Sequence, residues 1–448
     1  MMSRMILAVV LIAGLLPGSA RAQQEEPTTA EQLAEVKGAL EGLNESFTEY
    51  RGYVDALRKI KISGYLQTQF RNTDVINAPW TIGNFSGGAF PANTKNVFQV
   101  RRGRLKINYD NVLTQFVIQA DLISTGVSIK DAYLAVTEPW LRTFGIQAGV
   151  FDRPFGYEIS LSSSNRETPE RSRLFQTLFP GERDLGAKII VAPQLGPLSM
   201  LRLDLGLFNG VGPNANEVDN FKDVSGHLAL QFPFEESNAA LDLGVSGYLG
   251  NVRSASRYIY GVADAGTGVK RFVVDSAATN VSSGVARTYF GVDAQLYLNV
   301  LPIGGTILRG EFVAGKQPGT LSSSASLQAA VSGDVAKRSF SGYYAYFIQN
   351  IGSADQVIVK YDVFTPNTDV AVSDFRTGTN LTVADIAFRT LGLGYVHYLD
   401  DNVKVMLYYE LIANEKLDQS LLAASSSLYP YTGNVRDNVF TVRTQYKF

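Results

Sequence analysis

The feature that most constrains this chain is a two-residue alternation of polar and apolar side chains. It is clearest in the last eleven residues, NVFTVRTQYKF, where one face would carry the odd-numbered positions Val439 to Lys447 and the other the even-numbered positions Phe440 to Phe448. Successive side chains of a strand point to opposite faces, so this segment predicts a strand with one polar and one apolar face. A soluble sandwich strand would also alternate, so the argument depends on recurrence.

The alternation recurs in sixteen segments between Lys61 and the C-terminus. An even number of such strands is expected for a closed barrel in a bacterial outer membrane. The sequence therefore predicts an all-β domain at residues 61–448, a 16-stranded antiparallel transmembrane β-barrel. The segments are KISGYLQTQF, RLKINY, TQFVIQADL, IKDAYLAV, RTFGIQAGVF, LGAKIIVA, LRLDLGLF, VSGHLALQF, ALDLGVSGYL, TYFGVDAQLYL, TILRGEFVAG, FSGYYAYFI, VIVKYDVF, TLGLGYVHYL, VKVMLYYEL and the terminal strand.

The connections between these segments alternate in length. Short turns such as PFEESN, NIGSAD and LDDN alternate with long polar loops. Outer-membrane barrels have short periplasmic turns and long outer loops, whereas a soluble sandwich has no reason to separate loop lengths in this way. The predicted long loops are Asn72–Asn96, Phe151–Arg183, Asn209–Asn220, Asn251–Ala286, Gln317–Lys337, Pro366–Asp385 and Ala413–Val435.

The N-terminus has the three parts of a secretory signal peptide. Arg4 supplies the positive region, Ile6–Leu16 the apolar core and Ala20–Ala22 the small-residue cleavage site, which assigns residues 1–22 to the signal. The apolar core is about half the roughly 20 residues that a membrane-spanning helix needs. No other stretch of the sequence is long and apolar enough, so membrane-spanning helices are not expected.

Residues 23–60 predict a periplasmic coiled-coil segment, because apolar residues recur there at alternating spacings of three and four. A single amphipathic helix lying on its own barrel is the open alternative. The heptads do not by themselves choose an oligomeric state. The recurring positions are Leu33, Val36, Leu40, Leu43, Phe47, Tyr50, Val54 and Leu57.

Composition excludes several other functions. The chain has no cysteine and two histidines, which argues against disulfides, thiolate metal sites and zinc chemistry that needs several histidine ligands. No metal site and no cofactor are expected. With 40 Lys plus Arg against 42 Asp plus Glu, it has no global basic surface for nucleic acid. A barrel enzyme would need a nucleophile beside a base, and neither His227 nor His397 lies in such a motif. A transporter with a plug domain before its barrel is disfavoured, because only residues 23–60 are available.

Seven stretches, in order along the barrel, resemble the porin O and P family, the phosphate-selective porins. The resemblance implies a homotrimer in the outer membrane of a Gram-negative-type bacterium, each barrel with its own pore for passive diffusion of small anions such as phosphate. It also implies that the third outer loop, here Asp152–Asp184, folds inward to narrow the channel. The terminal Phe448 resembles the aromatic signature of proteins handed to the barrel assembly machinery. The stretches are FQVRRGRLKI, IKDAYLAV, IQAGVFDRPFGYE, SSSNRETPERSRLFQTLFPGERDLG, LFNGVGPNANEVDNFKD, VKYDVFTPNTD and VRTQYKF.

Charge placement determines what such a channel would select. Cations that converge on a narrow, partly dehydrated point would bind phosphate, so the expected constriction and anion-binding residues are Arg153, Arg166, Arg171, Arg173, Arg183 and Lys188. Six acids share the same segment, which makes its charge balance zero: Asp152, Glu158, Glu167, Glu170, Glu182 and Asp184.

Strand parity predicts further charges on the pore wall. These are Arg102, Arg104 and Lys106 on one strand and Asp131, Asp293, Glu311, Asp362 and Glu410 on others. They can pair across strands in a wet lumen or together set a field that sorts ions. The alternative function is a general porin, or one selective for other substrates, whose coiled coil tethers the outer membrane to peptidoglycan or another cell-wall component.

Overall fold

The computed structural model describes residues 29–74, 90–123, 126–264, 266, 268–327 and 333–448. The predicted signal peptide at 1–22 lies outside these residues. Helix α1, Thr29–Arg58, is one unit, and residues 59–448 form another. The predicted apolar positions of α1 from Leu33 to Tyr50, together with Leu57, are 58–68% exposed. The predicted helix is confirmed by α1. Because its apolar side chains are exposed in the single chain, pairing between copies of the helix stays a prediction.

Eighteen strands lie within the described part of the second unit. Their bounds are β1 Ile60–Thr73, β2 Asn96–Asp110, β3 Thr114–Ile123, β4 Gly126–Thr137, β5 Phe144–Asp152, β6 Arg183–Val191, β7 Leu201–Phe208, β8 Asp223–Phe234, β9 Ala239–Arg253, β10 Ile259–Asp264, β11 Lys270–Asp275, β12 Gly284–Leu298, β13 Thr306–Gly319, β14 Val335–Ile351, β15 Asp355–Thr365, β16 Phe388–Tyr398, β17 Val403–Asn414 and β18 Val439–Lys447. A short helix, α2, spans Arg173–Leu178, and single 3₁₀ turns lie at Glu235–Ser237, Ala278–Asn280, Val372–Asp374, Val383–Asp385, Gln419–Leu421 and Tyr429–Thr432.

Sixteen of these strands close into the predicted barrel. Each pairs antiparallel with its neighbours, β9 pairs with β12, and β1 pairs with both β2 and β18. The register of closure runs from Tyr65 opposite Lys447 to Thr73 opposite Val439. The other two strands, β10 and β11, form a hairpin in the connection between β9 and β12. At six residues each they are shorter than the roughly 9–11 that a membrane strand needs.

The barrel is polar inside and apolar outside. On β18, Thr441, Arg443 and Gln445 are at most 4% exposed, while Phe440 and Tyr446 are 36% and 52% exposed. This is the reverse of a soluble protein, and it is the arrangement expected when the exterior meets lipid. The parity predicted from the terminal segment is confirmed.

Loop lengths differ between the two ends of the barrel as predicted. At the short-turn end, the connections include 111–113, 235–238, 352–354 and 399–402. At the opposite, long-loop end they include 153–182, 254–283, 366–387 and 415–438. Neither helix in the described ranges has the combined length and hydrophobicity to span a bilayer.

Candidate functional site: the inward loop and the pore wall

The connection between β5 and β6, residues 153–182, folds into the barrel lumen. Phe155 and Phe179 pack with ring centroids 5.1 Å apart, and Phe179 lies 5.7 Å from Tyr248 on β9 and 5.6 Å from Tyr289 on β12. Buried aromatic rings each remove about 150–250 Å² from water, so this cluster gives the loop an apolar reason to leave the surface. The predicted inward loop is confirmed.

A carboxylate inside the loop fixes its path. Glu158 accepts hydrogen bonds from the backbone N–H of Ser172 at 3.0 Å, from its hydroxyl at 2.6 Å and from the Tyr346 hydroxyl at 3.2 Å. The Glu158 backbone N–H in turn donates to Glu311 of β13 at 3.2 Å, and Glu311 also accepts from Tyr344 at 2.8 Å. Glu311, predicted to lie on the pore wall, therefore anchors the loop instead of facing open solvent.

Three arginines hold a second loop carboxylate, Glu170. Arg102 Nη2 lies 2.6 Å from it, Arg443 Nη2 2.9 Å and Arg101 Nε 2.9 Å, so strands β2 and β18 both grip the loop. Burial alone would raise the pKa of Glu170. The guanidinium groups of Arg101, Arg102 and Arg443 together lower it by more than burial raises it, so the pKa lies well below its ordinary value. We call Glu170 and these three arginines the Glu170 clamp.

A third cluster forms around Glu182, where the loop returns to β6. Glu182 pairs with Arg171, with Arg183 at 3.1 Å and with Lys130 at 3.6 Å, and Arg183 also contacts Asp131 at 3.0 Å. Burial raises the pKa of Glu182, but Arg171, Lys130 and Arg183 lower it well below its ordinary value. Burial lowers the pKa of Arg171 to about 9. The charges of Arg171 and Arg183 are thus compensated by neighbouring carboxylates.

Three more of the predicted constriction cations also have neighbours. Arg153 lies 3.8 Å from Asp184, and Lys188 lies 3.9 Å from Asp204. Arg173, on α2, places its guanidinium 3.7 Å from the ring centroid of Phe388, and burial lowers its pKa to about 10.

Arg166 differs from the other five. It is 1% exposed, and none of its three side-chain nitrogens finds a hydrogen-bond partner among the described residues. Its backbone carbonyl accepts a hydrogen bond from Lys404 Nζ at 3.2 Å, which brings a second cation to the same part of the lumen. A buried guanidinium without hydrogen bonds is costly, so this position favours an anion or ordered water.

Several predicted pore-wall charges form ion pairs, either with a neighbouring strand or within their own strand. Arg104 lies 3.5 Å from Asp121, and Asp362 lies 3.5 Å from Lys360. Lys106 is half-buried and forms no ion pair with any residue that the structure describes.

Sequence reasoning missed the wall cations that receive the loop. Arg309 of β13 contacts Glu167 at 3.2 Å, Lys404 of β17 donates to the Ser164 carbonyl at 2.8 Å, and Arg443 belongs to the Glu170 clamp. Alternation had already placed Arg443 on the inward face, which was the available signal. Their loop partners could not be assigned, because the loop has no periodic pattern.

Open space remains between the start of the loop and the wall formed by β5–β9 and β12. A cavity of about 390 Å³ lies there, lined by Tyr157, Lys188, Asp204, Asp242 and Asp293 among others. Polar and charged side chains of both signs surround it, as expected for a water-filled passage.

No protein-family model matches the sequence, and no curated protein matches it. Solved structures do resemble it. Pseudomonas putida OprB superposes with a TM-score of 0.58 at 8% identity, covering 88% of this chain and 96% of that one. An anion-selective porin from Comamonas acidovorans superposes with a TM-score of 0.51 at 11% identity, covering 87% of this chain and 99% of that one. The outer-membrane channel DcaP of Acinetobacter baumannii superposes with a TM-score of 0.51 at 12% identity, covering 87% of this chain and 97% of that one.

These likenesses concern the fold. The chain has the closed 16-stranded antiparallel barrel of outer-membrane porins, with an apolar exterior and a charged loop inside its lumen. At 8–12% identity they leave the solute to be argued from the residues themselves.

Proposed function

We propose that the protein is a porin of the bacterial outer membrane that lets small solutes diffuse passively, with a preference for anions such as phosphate. The observation that supports a channel is the charged loop 153–182, which narrows a polar lumen inside an apolar exterior. The membership in the phosphate-selective porins, the trimer and the periplasmic position of residues 23–60 belong to the same proposal.

Arg166 supports the anion preference. Five of the six constriction cations lie against carboxylates or an aromatic ring, so a simple count of positive residues predicts nothing about selectivity. Arg166 is buried without a hydrogen-bond partner in the described ranges, and the ammonium of Lys404 lies beside its backbone. An anion placed between them would satisfy the guanidinium and gain from both charges.

The test is single-channel recording in planar bilayers. In a salt gradient, the reversal potential of the unmodified protein should favour chloride over potassium, and added phosphate should block the chloride current. Arg166→Gln should lower the anion-to-cation permeability ratio about seven-fold. A charge taken to lie about 7 Å from the ion path changes the energy of an anion and of a cation by about 0.6 kcal/mol each, in opposite directions, at the dielectric constant of water.

Arg389→Gln is the matched control. Arg389 is exposed on the outward face of β16, so the variant removes one positive charge without altering the lumen. It should leave the reversal potential unchanged. A cation-selective wild-type channel, or an anion-selective one in which Arg166→Gln has no effect, would contradict the anion site and leave a general porin.

A further inference from the structure

A cleft of about 570 Å³ lies at the long-loop end of the barrel, between β12–β14 and the β10–β11 hairpin. Its lining includes Ala286, Lys316, Lys337 and Ser339. On each strand these positions alternate with the buried, inward-facing residues Arg287, Gln317 and Arg338. Gln317 and Arg338 also border the cleft. The side chains of Ala286, Lys316, Lys337 and Ser339, in contrast, lie on the outside of the barrel, and we call this site the outer cleft.

The two lysines of the outer cleft are neighbours. Lys316 lies opposite Ser339 in the β13–β14 register, and Lys337 lies two residues farther along β14, opposite Pro318. Diagonal pairs of this kind place their Cβ atoms about 7–8 Å apart. Two ammonium groups on flexible stems can converge on one phosphate group from that separation.

The outer cleft lies just beyond the apolar belt. On the same outward faces, toward the short-turn end, Phe290, Phe312 and Tyr343 are exposed, and Phe312 pairs directly with Tyr343. Lys316 is four residues beyond Phe312, or about 13 Å along the strand. The lysines are thus placed where lipid chains would give way to headgroups, if the barrel spans a membrane as proposed above.

Two carboxylates, Asp275 and Asp369, also line the outer cleft, and each accepts a hydrogen bond from a backbone N–H. Asp369 accepts the backbone N–H of Ser339 at 3.2 Å, and Asp275 accepts that of Ala277 at 3.0 Å. Lys316 and Lys337, in contrast, form no ion pair within 4 Å with any residue that the structure describes. Both ammonium groups therefore keep hydrogen-bond donors that an anion from outside the protein can accept from.

We propose that the outer cleft binds the phosphorylated headgroup of a glycolipid in the outer leaflet of the membrane. A lipid is favoured over free phosphate because both lysines face away from the lumen and stand directly above the apolar belt. A bound lipid could place its phosphate on the lysines and its acyl chains against Phe312 and Tyr343. This inference rests on the proposed location in the outer membrane.

The test counts lipid molecules bound to purified full-length protein in nonionic detergent, by native mass spectrometry, with bisphosphorylated lipid A as the probe. The double variant Lys316→Gln/Lys337→Gln should bind it about 30-fold more weakly, about 5-fold for each lysine. Arg389→Gln, an outward-facing cation away from the outer cleft, is the matched control and should bind as the unmodified protein does. Millimolar inorganic phosphate should not displace the lipid.

Three results would overturn the inference. They are undiminished binding by the double variant, an equal loss in Arg389→Gln, and equal binding of lipid A stripped of its phosphates. Displacement by inorganic phosphate alone would identify a free-anion site instead. Channel recordings on the same preparations keep the two proposals apart, since loss of lipid binding with intact conductance contradicts only this one, and absence of conductance contradicts only the porin.

Discussion

The Glu170 clamp predicts a sharp response to one substitution, Glu170→Gln. The change keeps the side-chain shape but removes the charge that holds Arg101, Arg102 and Arg443. Arg102 and Arg443 are almost completely buried, and breaking a buried ion pair by removing one partner costs about 3–5 kcal/mol. The lost interaction is the one that joins β2 and β18 to the loop, so the inward position of residues 153–182 should become intermittent.

Single-channel recording measures both consequences of Glu170→Gln. We expect noisier currents with a larger open-state conductance, because the loop withdraws part of the time. The reversal potential should also move toward anions, since the lumen gains one net positive charge. Glu170→Asp, which keeps the charge, should shift selectivity little.

Glu217→Gln is the control, because the Glu217–Lys222 pair lies in the β7–β8 connection and is partly exposed on both sides. Pairs of that kind contribute about 0–1 kcal/mol. If Glu170→Gln gave the same current noise, conductance and reversal potential as Glu217→Gln, the clamp would not be what holds the loop in the lumen.

Three further predictions follow from the structure. The pKa of Glu170 is depressed, so its ionised carboxylate stabilises the inward loop fully above the unfolded pKa of about 4.3. This stabilisation is lost as pH falls through the lower folded pKa. Current noise should therefore stay low at pH 5 and rise only in strongly acidic buffer. Gly156 has φ of 61°, and a Cβ there would collide with the Glu311 carboxylate. Gly156→Ala should therefore lower the temperature at which the barrel unfolds on heat-modifiability gels. An unchanged unfolding temperature would contradict the close approach. Leu40→Glu with Leu43→Glu should weaken association of α1 and reduce the native mass, and an unchanged mass would exclude α1 as the contact between copies.

Alternation along the strands predicted reliably which side chains face the lumen. One inward-facing residue fixes every second residue of a strand, so the inward positions of Arg102 and Arg443 followed from alternation alone. The hairpin β10–β11 was missed, because its two six-residue strands lie inside a long polar loop and carry no membrane-length signal.

The candidate site was less predictable, because loop residues have no period that relates neighbours in sequence to neighbours in space. Arg183 meets Asp131 and Arg309 meets Glu167 across 52 and 142 residues of sequence. The sequence does not distinguish Arg166 from the other five cations of the predicted constriction, because the difference depends on the path of the loop. Sequence could therefore supply the set of charges, but which of them cancel depends on how aromatic packing and the Glu170 clamp route the chain.

The pairing of β1 with β18 ties the completion of the barrel to its last ten residues. Gly64 and Phe448 exchange two backbone hydrogen bonds of 3.0 Å each, and nine residue pairs follow up to Thr73 and Val439. Without β18, both β1 and β17 would expose an edge of unpaired amides and carbonyls, which hydrocarbon does not tolerate. A chain cut before Val439 is thus not a slightly smaller barrel but an open sheet, ready to pair with another chain. The backbone groups on the facing edges of β1 and β17 are consequently all paired only when the final strand has joined the first.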